Sequence, residues 1–150
     1  MAYDSTKETQ EHIANVRYFL SRMMFELLCR SEDHDASKLQ SPEKELFDKF
    51  TPLLRDTTYG SDEYKRYLKE MGAALQHHYE VNSHHPEHYA NGIYGMSLLD
   101  VMEMLADWKA AGMRHADGDI RESLSINRGR FDIDDQLFSI LENTVKELGW

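Results

Sequence analysis

SDEYKRYLKEMGAALQHH, residues 61–78, places Tyr64, Leu68, Met71 and Leu75 three or four positions apart, and His78 continues the same face. Ser61 followed by Asp62 and Glu63 supplies a cap and first-turn acids, which suit the positive end of a helix dipole. The spacing predicts a helix whose apolar face ends in histidine. Upstream, Ser41-Pro42-Glu43 has the form of another helix start, carrying Leu46, Phe47 and Phe50 and stopping near Pro52, with Thr57 to Gly60 as a loop. Further back, Ser5 and Glu8 have the spacing of a capping box. Ile13, Val16, Leu20, Met23 and Leu27 then recur at helical intervals, predicting a long helix from about Ser5 to Arg30 with His12 on or beside its buried stripe.

Downstream, Asn82-Ser83-His84-His85-Pro86 interrupts the pattern, and Asn91 to Gly95 reads as an ordered loop. Ser97 caps a fourth helix that ends at Gly112. The stretch from Met113 to Arg130 reads as polar and irregular, with a turn at Asp117-Gly118-Asp119. Asp132 or Asp134 starts a last helix bearing Leu137, Phe138, Leu141, Val145 and Leu148. No long segment alternates with period two. The expectation is an all-α fold, a compact bundle of about five to six helices forming one domain over residues 1–150.

Composition agrees. At 150 residues the chain is long enough to bury a core without staples, and 8 Gly and 3 Pro are too few for a collagen-like, disordered or turn-dense all-β chain. The lone Cys29 leaves neither a disulfide nor a thiolate-rich zinc site within the chain. The absence of a long apolar run and of a basic-then-apolar start predicts a cytoplasmic protein that does not engage a membrane. A formal net charge of −10 opposes capture by long nucleic acid.

Histidine is the anomaly. Five of the 8 histidines, His77, His78, His84, His85 and His88, fall between positions 77 and 88. Neutral imidazole together with carboxylate suits borderline-to-hard divalent ions such as Mn, Fe, Zn, Ni or Co. In His34-Asp35 the neighbouring side chains point about 100° apart on a helix, so both reach one ion only at a helix end or irregularity. His88 and His115 stand outside the pattern and read as surface residues.

The order His12, His34-Asp35, the histidines at 77 to 85 and Asp107 resembles the HD-domain superfamily of metal-dependent phosphohydrolases, which is all-helical. His34-Asp35-Ala36-Ser37-Lys38 resembles the H-D-x-x-K form of a subset whose lysine lies near substrate phosphate. His84-His85 with Gly92 and Tyr94 is similar to the second histidine pair of the cyclic-dinucleotide phosphodiesterase branch, although that branch's glycine-tyrosine-proline signature is absent. The block His77 to Glu87, with Glu103-Met104 and Asp107-Trp108, is similar to a small family of uncharacterised HD-like proteins of bacteria and phages. The resemblance implies one or two divalent ions. His12, His34, Asp35 and Asp107 surround one, and Asp35 bridges to a second held by His78, His84 and His85. His77 competes with His78, which is favoured because it continues the Tyr64-Leu68-Met71-Leu75 face. Asp107 shares a helix side with Asp100 and Glu103, opposite the stripe of Leu98, Val101, Leu105 and Trp108, so that side also reads as a solvated acidic face, with Asp100 as a substitute ligand.

The function implied is hydrolysis of a nucleotide or another small phosphate ester by metal-activated water, with Asp35 and Lys38 as the catalytic pair and Lys38 on the phosphate. Arg128 and Arg130 form a second basic spot that contacts phosphate or balances Asp132, Asp134 and Asp135. Tyr79, Tyr89 and Tyr94 suit a nucleobase by stacking. Two other readings are a di-iron oxygenase, since some HD proteins oxidise their substrates, and a non-catalytic binding protein that keeps the metal as a structural clip.

Overall fold

The computed structural model describes residues 3–58, 61–114 and 118–150. Tyr59 and Gly60 of the expected loop, His115, and Asp117 of the expected turn lie outside them. Among the described residues there are seven α-helices, three short 3-10 helices and no strand, so the fold is all-α. None of these helices is long and apolar enough to cross a membrane. The chain divides into two units, residues 1–34 and 35–150.

Among its described residues the first unit holds one helix, α1 (Thr6–Asp33), of 28 residues. The expected capping box does not form: Glu8 accepts from the Tyr3 hydroxyl at 2.8 Å, and Asp4 Oδ1 instead accepts from the Thr6 amide at 3.0 Å. The Ile13-Val16-Leu20-Met23-Leu27 stripe has nothing within its own unit to pack on, since a single helix cannot bury its own face.

The second unit begins with a 3-10 turn, Ala36–Leu39, and α2 (Lys44–Arg55). Pro52 does not end α2. Its carbonyl still accepts from the Asp56 amide at 3.3 Å, so the helix continues to Arg55. The long helix expected from residue 61 is two helices, α3 (Asp62–Glu70) and α4 (Gly72–Val81), and Ser61 Oγ caps the first by accepting from the Tyr64 amide at 3.1 Å. The break falls at Met71-Gly72, where glycine propagates a helix poorly. Met71 serves both helices: its amide bonds Tyr67, and its carbonyl accepts from Ala74 and Leu75. The buried face therefore keeps its register across the break through Met71, Ala74 and His78.

The remaining helices are α5 (Leu98–Gly112), α6 (Ile120–Phe131) and α7 (Asp135–Glu147). Ser97 and Asp100 form a reciprocal capping box on α5. Helix α6 occupies a stretch whose sequence reads as irregular. Its buried residues are only Ile120, Leu124 and Asn127, so two apolar side chains and one amide carry the whole periodic signal. With α6 and the α3/α4 break, the count rises to seven. Asp132, in the left-handed region at φ 51°, ends α6, and Asp134 caps α7 by accepting from the Leu137 amide. Helices α5, α6 and α7 share one core of Val101, Met104, Leu105, Ile120, Leu124, Ile133, Leu141 and Val145, flanked by Trp108 stacked on Phe131.

Removing a side chain from that core leaves a cavity as well as lost burial. Leu124→Ala is expected to lower unfolding stability by about 2–5 kcal/mol, whereas Ile126→Ala on the exposed side of α6 should change it by about 0.5 kcal/mol. Urea unfolding of both variants checks the assignment of α6 and its inward face, and equal effects would contradict it.

Candidate metal centre

Asp35 opens the 3-10 turn with φ 57°, a left-handed conformation that aspartate tolerates better than most residues. The turn brings Lys38 back over it: the Lys38 amide donates to the Asp35 carbonyl at 2.9 Å, and Nζ donates to Asp35 Oδ2 at 2.5 Å. Lys38 Nζ also lies 5.0 Å from the centroid of the Phe47 ring. The other carboxylate oxygen, Oδ1, faces the histidines.

Three histidines reach it from α4 and the bend after it. His78 is the last buried residue of α4. Asn82 ends that helix in an extended conformation, its side-chain amide donating to the His78 carbonyl at 2.8 Å, and the chain folds back. Pro86 restricts the residue before it to extended backbone, and His85 has φ −96° and ψ 129°. This bend returns His84 and His85 to the end of α4, with ring centroids 4.8 Å apart for His78 and His85 and 4.2 Å for His84 and His85.

The ligand atoms converge. His78 Nε2 lies 2.9 Å from His85 Nε2 and 3.3 Å from Asp35 Oδ1, and His84 Nε2 lies 3.7 Å from the same oxygen. One ligand atom from each of Asp35, His78, His84 and His85 falls within 4.8 Å of the others. A tetrahedral ion with bonds of about 2.0–2.1 Å separates its ligand atoms by roughly 3.4 Å, so the observed spacings bracket what such an ion requires. Three imidazoles and one carboxylate also form a donor set suited to divalent transition metals. The residues therefore fit a metal ion.

Two carboxylates stand behind the histidines, one fully buried and one partly buried. Glu43 is fully buried, its Oε2 lying 2.9 Å from His78 Nδ1 and its Oε1 2.7 Å from His77 Nδ1. Glu103 Oε1 lies 3.1 Å from His84 Nδ1. Carboxylates on the outer nitrogen are a common way of fixing ring orientation in metal sites. Sequence reasoning missed both roles. Glu43 reads only as part of a helix start, and Glu103 reads as part of a solvated helix side.

His77 is 38% exposed and turns to Glu43, so it is not among the converging side chains. Asp107 is partly buried on α5, with a carboxylate oxygen within 4.8 Å of one of Asp35. Asp100, the alternative acid on the same side of α5, is engaged elsewhere. It is buried in its own network, accepting from Ser83 Oγ, the Tyr89 hydroxyl, and the Ser97 amide and hydroxyl. The Asp100-Glu103-Asp107 side of α5 is thus covered by polar partners rather than solvated. His12 and His34 belong to the first unit, His34 directly preceding Asp35 in the chain. Lys38 stands beside the cluster, but Arg128 does not: it pairs with Asp135 and lies over the Phe138 ring. Arg130 binds Glu87 at 2.6 Å, linking α6 to the segment that follows the paired histidines. Tyr89 is held by Asp100, Tyr79 packs edge-on against His85, and Tyr94 is exposed. His88 lies at the surface, its Nδ1–H donating to the Tyr79 carbonyl at 2.8 Å.

Burial, followed by the His84 and His78 rings, pushes the His85 imidazole down from 6.5 to about 3, with Lys38 adding to the effect and Asp107 opposing it. His85 is therefore neutral and able to ligate throughout the neutral range. Because the folded value is the lower one, the unfolded chain binds the extra proton. Its contribution to stability is complete above pH 6.5 and is lost as pH falls from 6.5 towards about 3. Urea midpoints of the metal-free protein across this window should fall more steeply for wild type than for His85→Gln; parallel profiles would contradict the assignment.

No curated protein and no solved structure matches the chain. Residues 1–147 match the family described as a family of unknown function, DUF5662. The match spans nearly the whole chain, which therefore belongs to the DUF5662 family.

Proposed function

We propose that the protein is a metal-dependent phosphohydrolase of the HD-domain type, acting on a nucleotide or another small phosphate ester. The observation that carries this reading is the convergence of Asp35, His78, His84 and His85 within 4.8 Å, with Lys38 bonded to the outer oxygen of the same aspartate. A divalent ion in this set would supply Lewis acidity and lower the pKa of bound water to near neutrality. Candidate ions are Mn, Fe, Zn, Ni and Co, taken as one ion or two.

The protein's own groups then have separable tasks. Three imidazoles ligating through nitrogen lone pairs and one carboxylate would leave a divalent ion with net positive charge, which favours an anionic substrate. Lys38 is 26% exposed, so it reaches solvent while one of its three donors is held by Asp35. The remaining donors suit phosphoryl oxygens, and the Asp35 contact holds the ammonium beside the reacting centre. The formal charge of −10 favours a small ester over a long polyanion, and the lone Cys29 suits a cytoplasmic setting.

Elemental analysis of protein purified without a histidine tag, followed by a phosphate-release screen over nucleotides and small esters, tests the reading. Wild type is expected to carry one to two equivalents of transition metal, and Asp35→Ala to lose it. Lys38→Met should keep the metal while kcat/KM falls about ten- to a hundredfold, the loss of a charge-assisted contact worth roughly 1.5–3 kcal/mol. Absence of metal, with no uptake on addition, would overturn the proposal. Turnover that requires iron and consumes oxygen would replace hydrolysis by oxidation. Bound metal without turnover, whose chelation unfolds the domain, would leave a structural clip.

A further inference from the structure

Glu43 is 0% exposed and precedes the first turn of α2, yet its carboxylate spans two adjacent histidines of α4. Oε1 lies 2.7 Å from His77 Nδ1, and Oε2 lies 2.9 Å from His78 Nδ1. A hydrogen count identifies the donors. Asn82 Nδ2 spends its two hydrogens on the His78 carbonyl at 2.8 Å and on Ser37 Oγ at 3.0 Å. Its 3.0 Å approach to His78 Nδ1 therefore has no hydrogen left. Ser37 Oγ in turn gives its hydrogen to Glu43 Oε2 at 3.0 Å, although it also lies 3.3 Å from His78 Nδ1. Only the two imidazole N–H groups remain to fill the short contacts to the carboxylate.

We propose that Glu43 is a positioning residue that locks His78 as its Nδ1–H tautomer, so that the Nε2 lone pair points at Asp35 Oδ1 and His85, and that His77 clamps the carboxylate in place. The inference rests on the metal reading above and deepens it. An acceptor with two equivalent oxygens is required, because both partners donate. In Glu43→Gln one end of the side chain becomes a donor, which forces His77 or His78 to present a bare Nδ1. If His78 yields, its proton moves to Nε2, the nitrogen that would ligate. If His77 yields, the carboxylate charge that holds His78 is still lost.

Two measurements on the full chain test this. The first is calorimetric titration of tag-free, metal-stripped protein with Zn²⁺ alone, alongside the melting temperature of each variant. Glu43→Gln is expected to bind Zn²⁺ about 10- to 100-fold more weakly than wild type. Wild-type binding with Glu43→Gln within about twofold of it, whatever the change in melting temperature, would show a merely structural role and overturn the inference. The second is long-range ¹H–¹⁵N correlation of the imidazoles in metal-free wild type, which needs neither zinc nor a folded variant. His78 is expected as Nδ1–H, and finding it as Nε2–H would overturn the inference. Wild type that takes up no Zn²⁺ would overturn the metal reading instead, and the tautomer result would then decide the Glu43 assignment by itself.

Discussion

A fully buried carboxylate must be surrounded by donors or it destabilises the fold by several kcal/mol, and Glu43 meets this demand by drawing together three segments. Ser37 comes from the 3-10 turn, Glu43 from the start of α2, and His77 and His78 from α4. These contacts set where the end of α4 stands relative to Asp35, and the bend after Asn82 carries His84 and His85 to the same point. The histidine cluster is therefore held from outside by hydrogen bonds rather than by packing alone. Helix α5 joins this cluster to the α5–α7 core, since it carries Val101, Met104 and Leu105 into the apolar interior, Glu103 to His84 and Asp107 close to Asp35.

That double use of α5 explains why its acidic side was hard to read. A helical wheel separates apolar from polar positions, but it cannot distinguish a polar face covered by imidazoles from one covered by water. Asp100, Glu103 and Asp107 have the same pattern in either case. The structure divides them: Asp100 closes a capping network, Glu103 backs His84, and Asp107 lies near Asp35. Glu43 was hidden for a related reason. An acid at the start of a helix has an ordinary explanation in the helix dipole, and its long-range partners, 34 and 35 residues away, leave no local signature.

Other features were legible because they depend on local periodicity. The face running through Met71 to His78 identified the buried member of the His77-His78 pair, and it survived the break at Met71-Gly72 because one shared residue preserves its phase. Ser61, Ser97 and Asp134 all cap as their side chains suggest. Helix α6 was missed because Ile120 and Leu124 are too few to outweigh the polar residues around them. The first helix shows the converse: a strong stripe with no partner in its own unit says that a face exists, not what it meets.

On the metal reading, Asp35 Oδ1 and Nε2 of His78, His84 and His85 share one ion. Crystals grown with Zn²⁺ and measured on both sides of its absorption edge test this most directly. The account predicts an anomalous peak about 2.0–2.2 Å from Asp35 Oδ1 and from Nε2 of His78, His84 and His85. A peak bound elsewhere, or none with the imidazoles hydrogen-bonded to one another, would contradict it.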